Sequence, residues 1–123
     1  SYTRALKNGR FLFTLSDEDH GPDHSVFVPF FGNEKATLPM IGRLAKLANS
    51  AVLPVMTYYD DELKKYRTRI LPAIPDFPEG DSEIDARALN QALEELIKID
   101  PAEYMWTLRL FKTQRDGSRI YNY

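Results

Sequence analysis

The chain has 123 residues, 43% of them hydrophobic and 28% charged, with a formal net charge of -2. That length fits one domain or part of a larger one, and the charge gives no overall pull toward nucleic acid or anionic lipid. The absence of cysteine excludes disulfides, thiolate metal sites and a cysteine nucleophile, and no apolar run approaches the ~20 residues of a membrane-spanning helix.

Taken in chain order, Tyr2 to Lys7 reads as the last turn of a helix, stopped by Asn8-Gly9. A chain that starts inside a helix and without Met is expected to be the middle or C-terminal part of something longer. Arg10 to Leu15 is a short aromatic-rich apolar run and predicts a strand. Gly21-Pro22 breaks regular structure, so residues 16 to 25 form a loop. Val26 to Phe30 predicts a second short extended piece, ending at Gly32-Asn33.

Thr37 is placed to cap a helix whose first turn tolerates Pro39. Ile41, Leu44, Ala45 and Ala48 recur at helical spacing and form its apolar face, and Asn49-Ser50 ends it. Ala51 to Tyr59 is a strand by composition, with Pro54 marking an edge or a bulge. Asp60-Asp61-Glu62 then turns into Tyr66 to Leu71, which alternates with Arg67 and Arg69 on one face.

Pro72, Pro75, Pro78 and Gly80 mark an irregular connector. Ser82 with Asp85 three residues on has the form of a capping box, and Leu89, Leu93, Leu96 and Ile97 define the buried stripe of a helix to about Ile99. Asp100-Pro101 predicts a last helix running to about Phe111. The order points to an α/β sandwich, with the first strand and the hairpin sharing one mixed sheet against packed helices.

Charge is unevenly placed. Asp17, Glu18, Asp19 and Asp23 crowd residues 16 to 24, whereas Arg109, Lys112, Arg115 and Arg119 face only Asp116 from Tyr104 onward. Asp17-Glu18-Asp19-His20 follows the exit of an apolar run, where α/β proteins usually bind ligands. The tetrad is either a solvated acidic loop or part of a divalent-cation site. His20 and His24 are the only imidazoles, hence the only unperturbed bases near neutral pH. Five positions beyond them stand Ser25 and Pro29, not acids, so neither forms a His-x-x-x-x-acid pair. Trp106, Arg109 and Lys112 would share one helical edge, either as an anion or headgroup contact or as a core Trp with cations suited to a helix C-terminus.

The residues Ala5-Leu6-Lys7-x-Gly9, Asp17-x-Asp19-x-Gly21, Ser25-Val26-Phe27-Val28-Pro29-Phe30-Phe31, Ala36-Thr37, Leu53-Pro54-Val55, Pro101-x-x-Tyr104-x-Trp106 and Arg109-x-Phe111-Lys112-Thr113 occur in a telling order. In this order, over nearly the whole chain, the sequence resembles the C-terminal half of the lipid A late acyltransferases. These are the bacterial lauroyl and myristoyl transferases that acylate a Kdo-bearing lipid A precursor. The Asp17–Ser25 string, Lys35 to Leu44 and the Leu110–Lys112 ending look most similar to the myristoyl-transferring branch.

The resemblance implies a partial glycerolipid-acyltransferase-like sandwich, with residues 1–123 forming the C-terminal part of one acyltransferase domain. It implies acyl transfer from acyl carrier protein to an acceptor hydroxyl at the cytoplasmic face of the inner membrane, with no cofactor, no metal and no nucleic-acid partner. The family's membrane anchor and its His-x-x-x-x-Asp/Glu base lie N-terminal to everything seen here, so no catalytic residue is expected in this chain, which would be inactive alone. Asp17, Asp19, His20 and Gly21 match the third conserved block, near the acceptor site. Arg109 and Lys112 become candidates for acceptor phosphates, with Arg10 a weaker third. Leu110 stands where many members carry a second Arg. The rival readings are a non-enzymatic cation-binding or interaction module and a metal-dependent hydrolase.

Overall fold

The computed structural model describes residues 1–122. Helix α1 (Tyr2–Lys7) starts at Ser1, whose hydroxyl accepts from the Arg4 amide, and gives way to Gly9 at φ 75°. Strands β1 (Val26–Phe30) and β2 (Asn33–Thr37) pair antiparallel, Val28 opposite Lys35 and Phe30 opposite Asn33. Their two-residue loop, Phe31-Gly32, has positive φ at both positions, as a tight type I′ hairpin requires. Helix α2 (Met40–Ala48) buries Ile41, Gly42, Ala45 and Ala48 and ends on Asn49 in the left-handed region. Strands β3 (Val55–Asp60) and β4 (Lys65–Ile70) form a second antiparallel hairpin, and every residue of β4 is exposed. Helix α3 (Ser82–Ile99) is capped by Asp81, and a 3-10 turn at Pro101–Glu103 follows.

The core lies where α3 crosses β1. Phe30, Ile97 and Leu110 are buried together, with Phe31, Leu93, Tyr104, Leu108 and Phe111 packed around them. The fully buried Asn90 of α3 donates to the Pro29 carbonyl at 3.3 Å and to Thr37 Oγ1 at 3.0 Å, tying both strands of the first hairpin to the helix. Pro29 has no amide to offer a ladder, and its carbonyl is satisfied from above instead.

Several local expectations are corrected. Arg10 to Leu15 is not a strand: it runs without ladder partners among the described residues, with Phe11 and Phe13 largely exposed. The strands do not share one mixed sheet; among the described residues they make two separate antiparallel pairs. Residues 33–37 are strand β2, although the sequence places the end of an extended piece at Gly32-Asn33 and a helix cap at Thr37. Thr37 caps nothing: its hydroxyl donates to the Lys35 carbonyl. The α3 cap sits one residue earlier than expected, at Asp81. Asp85 turns inward to accept from the Glu79 and Gly80 amides at 2.8 and 3.1 Å.

The last expected helix stops after one 3-10 turn. From Tyr104 to Phe111 the large side chains are claimed in different directions. Tyr104 reaches Asp17, Trp106 packs on Phe31 with ring centroids 5.9 Å apart, Leu110 is buried and Phe111 lies against Phe30. One helical face could not satisfy all four. No helix among the described residues is long and apolar enough to cross a membrane.

Candidate functional site

The loop after Leu15 is held at two points by the segment that follows α3. Asp19 is buried, and its carboxylate accepts three bonds: from the Gly21 amide at 2.9 Å, the Thr113 hydroxyl at 2.8 Å and the Thr113 amide at 2.7 Å. Two residues earlier, Asp17 Oδ2 accepts from the Tyr104 hydroxyl at 2.6 Å. Bonds to an ionised carboxylate are roughly twice as strong as neutral ones, so the acidic loop is fixed in shape.

Gly21 makes that shape possible. Its φ of 93° is open to glycine and strained for other residues, and its carbonyl accepts from the Ser25 hydroxyl at 2.7 Å.

Beneath the loop lies Lys35, a fully buried ammonium on β2 that donates to the Ala36 carbonyl at 3.3 Å. Burial pushes its pKa down, and the nearby charges of Asp19 and then Asp17 pull it back up. Tyr104 is shifted the other way: burial, then the bond to Asp17, raises its hydroxyl well above the usual tyrosine value. Asp19 and Asp17 thus supply the countercharge that a buried ammonium requires.

Two concavities adjoin residues of this site. On the Asp17 side runs an apolar groove of about 780 Å³, walled by Leu12, Phe13, Val52, Leu89, Leu93 and Leu96 among others, with Asp17 and Tyr104 in its lining. On the Asp19 side, Thr113 belongs to the wall of a second cavity of about 580 Å³, whose lining includes Arg109, Lys112 and Arg119. No acidic residue is among the described residues that line it.

The structure thus gathers Asp17, Asp19 and Gly21 into one loop and places Arg109 and Lys112 on one cavity. Trp106 is not on a helical edge with them; its indole donates to the Pro101 carbonyl at 2.7 Å. Arg10 lines the apolar groove instead of the basic cavity. Among the described residues His20 has no partner beyond Glu18, 3.8 Å away, and it is exposed. For the cation-site alternative, no group of three or more His, Cys, Asp or Glu side chains able to hold a metal occurs among the described residues. The acidic oxygens of Asp19 are all engaged by Gly21 and Thr113.

Sequence reasoning missed Lys35, Tyr104 and Thr113 as parts of this site. Asp19 and Thr113 are 94 positions apart, and nothing local announces such a contact.

A protein-family model described as bacterial lipid A biosynthesis acyltransferase matches residues 1–113. The chain is similar to a lipid A biosynthesis myristoyltransferase of Escherichia coli strain K12, at 37% identity over 94% of the chain. A lipid A biosynthesis acyltransferase of Haemophilus influenzae is 39% identical over 95% of it. A lipid A biosynthesis lauroyltransferase of Escherichia coli strain K12 is 35% identical over 93%. The chain spans 36%, 36% and 38% of the lengths of these three relatives, a little over a third.

Proposed function

Because this chain belongs to the bacterial lipid A biosynthesis acyltransferase family, we propose that it serves transfer of a fatty acyl chain to a hydroxyl of a Kdo-bearing lipid A precursor. The donor in this reading is an acyl carrier protein thioester. The reaction takes place at the cytoplasmic face of the inner membrane, and the chain forms part of a glycerolipid-acyltransferase-like sandwich. One observation carries the proposal: Asp17 of the loop lines an apolar groove, and Asp19 is bonded to Thr113, which lines a cavity rich in cations. A phosphorylated lipid needs those two environments, and a reacting hydroxyl at the border between headgroup and chain falls beside the loop.

The residues divide the work accordingly. Asp17 spends Oδ2 on Tyr104 and makes no hydrogen bond through Oδ1 among the described residues, so Oδ1 can accept from the acceptor hydroxyl or orient a catalytic imidazole. Asp19 fixes the loop, and Gly21 permits its turn. Arg109 and Lys112 take the acceptor's phosphate charge, for which cations and charge-assisted bonds are the natural partners. Acyl transfer also needs a base for the hydroxyl and donors for the oxyanion. No His-x-x-x-x-Asp/Glu base is found in these 123 residues, so by themselves they supply the substrate side of the reaction and no turnover.

The test uses an enzyme that carries this chain together with a His-x-x-x-x-Asp/Glu segment, assayed with acyl carrier protein thioester and a Kdo-bearing precursor. Asp17→Asn is expected to lower kcat at least 100-fold, in the range of a lost orienting or general-base partner, with the fold intact by circular dichroism. Wild-type turnover in the variant refutes the role of Asp17. Measurable transfer by the 123 residues alone refutes the assignment of the base to other residues.

A further inference from the structure

Charge in this chain is segregated by helix. Residues 1–16 and 35–59 contain no aspartate or glutamate, in a protein whose formal net charge is -2. Helices α1 and α2 fall in these two segments and pack against each other. Arg4 and Lys7 of α1 and Arg43 and Lys46 of α2 are exposed. Arg10 is exposed too, and its amide ties it to α1 by donating to the Ala5 carbonyl at 3.1 Å.

None of these five cations makes an ion pair among the described residues, whereas Arg67, Lys64 and Arg115 pair with Asp60, Asp61 and Glu34. Arg43 donates to the Ser82 hydroxyl at 3.5 Å. Two acids at the head of α3, which packs on α2, are turned to backbone amides. Asp81 accepts from those of Glu83 and Ile84, and Asp85 from those of Glu79 and Gly80. The positive charge of α1 and α2 is therefore left for a partner.

Arg4 and Lys7 are three positions apart, as are Arg43 and Lys46, so each pair shares one side of its helix. Packed helices lie ~8–10 Å apart, which puts both pairs within the footprint of one protein. Tyr2 of α1 and Met40 and Leu47 of α2 are exposed on the same helices, and Arg, Met and Tyr are side chains that protein interfaces favour. A bilayer asks for a helix whose apolar face is turned to lipid. The apolar face of α2, with Ile41, Ala45 and Ala48, is buried in the fold. What α2 offers is charge with isolated apolar anchors, which suits a protein surface.

We infer that α1 and α2 form the docking surface for an acidic protein, the carrier that delivers the acyl thioester, an assignment that rests on the acyl-transfer reading and gives its donor a place on this chain. Leu6, Arg10 and Ile41 line the apolar groove, so a carrier seated here borders the space that receives its acyl chain. Complementary charge steers such an encounter and fixes its register.

The experiment is a titration of the isotope-labelled chain with unacylated acyl carrier protein, read by amide NMR at low and high salt. Leaving out the acyl group separates docking from filling of the groove. Shifts are expected at the amides of Arg4, Lys7, Arg43 and Lys46, and they should fade as salt screens the charges. Lys7→Glu combined with Lys46→Glu sets like charges against the carrier and is expected to weaken binding at least tenfold. Both side chains are exposed, so circular dichroism should match the wild type. Arg69→Glu, the same reversal on the exposed second hairpin, is expected to leave the affinity unchanged.

Shifts confined to residues outside α1 and α2 overturn the inference, as does equal affinity in the doubly reversed and wild-type chains. Vesicles of phosphatidylglycerol are the rival probe, and contact with them at α1 and α2 without any contact by the carrier overturns it too. Docking is read without turnover, so a failure here removes the surface and leaves Asp17 to be judged by its own variant. Wild-type turnover in Asp17→Asn would remove that role and leave standing a carrier titration that maps to α1 and α2.

Discussion

Asp19→Asn tests the idea that the loop is held by charge and not by shape alone. In the wild type, Asp19 Oδ1 receives the Gly21 amide and the Thr113 hydroxyl, and Oδ2 receives the Thr113 amide. Asparagine has one carbonyl oxygen. Its best placement keeps that oxygen where Oδ1 was, weakens two bonds from charged to neutral, and turns an NH2 toward the Thr113 N–H. One charge-assisted bond is then lost, about 1.5–3 kcal/mol, and two others fall to about half strength. Asp19 is 6% exposed, so water cannot replace what is lost, and Lys35 gives up a neighbouring countercharge. The sum is roughly 3–6 kcal/mol, a large share of the ~5–15 kcal/mol that holds a domain together. Urea unfolding at neutral pH should show it as a lower midpoint with unchanged slope. Thr113→Val removes only the hydroxyl bond and should cost about 1.5 kcal/mol. The double variant should fall short of the sum by about 1 kcal/mol, because both single changes act on the same bond, which Asp19→Asn weakens and Thr113→Val removes. An Asp19→Asn variant within 0.5 kcal/mol of wild type, on the scale of an ordinary surface change, refutes the anchoring role, and strict additivity refutes the pairing.

Two further predictions concern pH. The Tyr104 hydroxyl titrates above its unfolded value near 10.0, so wild-type stability is fully present below that pH and declines as pH rises above it. Tyr104→Phe should lack this alkaline decline in denaturant titrations, and a variant that retains it would disprove the assignment. Lys35 has the opposite sign: its folded pKa is below 10.5, so in the window between the two values the unfolded chain binds more protons and stability rises with pH. Lys35→Met should remove that rise; an unchanged slope would show that Lys35 is solvated, not buried.

Helices α1, α2 and α3 and the second hairpin were readable because their signals are local. Ile41, Ala45 and Ala48 repeat at helical spacing and are the residues α2 buries, and Leu89, Leu96 and Ile97 do the same for α3. Phe11 to Leu15 misled because aromatic content favours a strand only where a ladder partner exists. Lys35 gave no sign because β2 does not alternate: its last three residues, Lys35, Ala36 and Thr37, are all buried. At Tyr104 to Phe111 the apolar spacing suited a helix, yet the separate contacts of Tyr104, Trp106, Leu110 and Phe111 overrode it, as tertiary packing commonly overrides weak propensity. The acids of the loop were visible as a cluster. Their partners, Tyr104 and Thr113, were not, since 87 and 94 positions separate the bonded residues.

On the proposed reading, these long-range bonds settle what the two cavities contribute. Burying an acyl chain from water is worth about 0.8 kcal/mol per methylene, so a chain of ~12 methylenes would dominate any headgroup contact of about 1.5–3 kcal/mol. A lipid acceptor does not come from water, however. In a bilayer its chains are already in surroundings as apolar as a leucine side chain, and moving one into the groove gains little. The polar contacts that differ between membrane and protein then decide which lipid is held and where its hydroxyl stands. A rigid loop is what converts those contacts into position, because a reacting atom displaced by ~1 Å loses rate on the order of 100-fold. With Tyr104 on one side and Thr113 on the other, both supplied by the segment after α3, the wall that bounds each cavity also sets the distance between them.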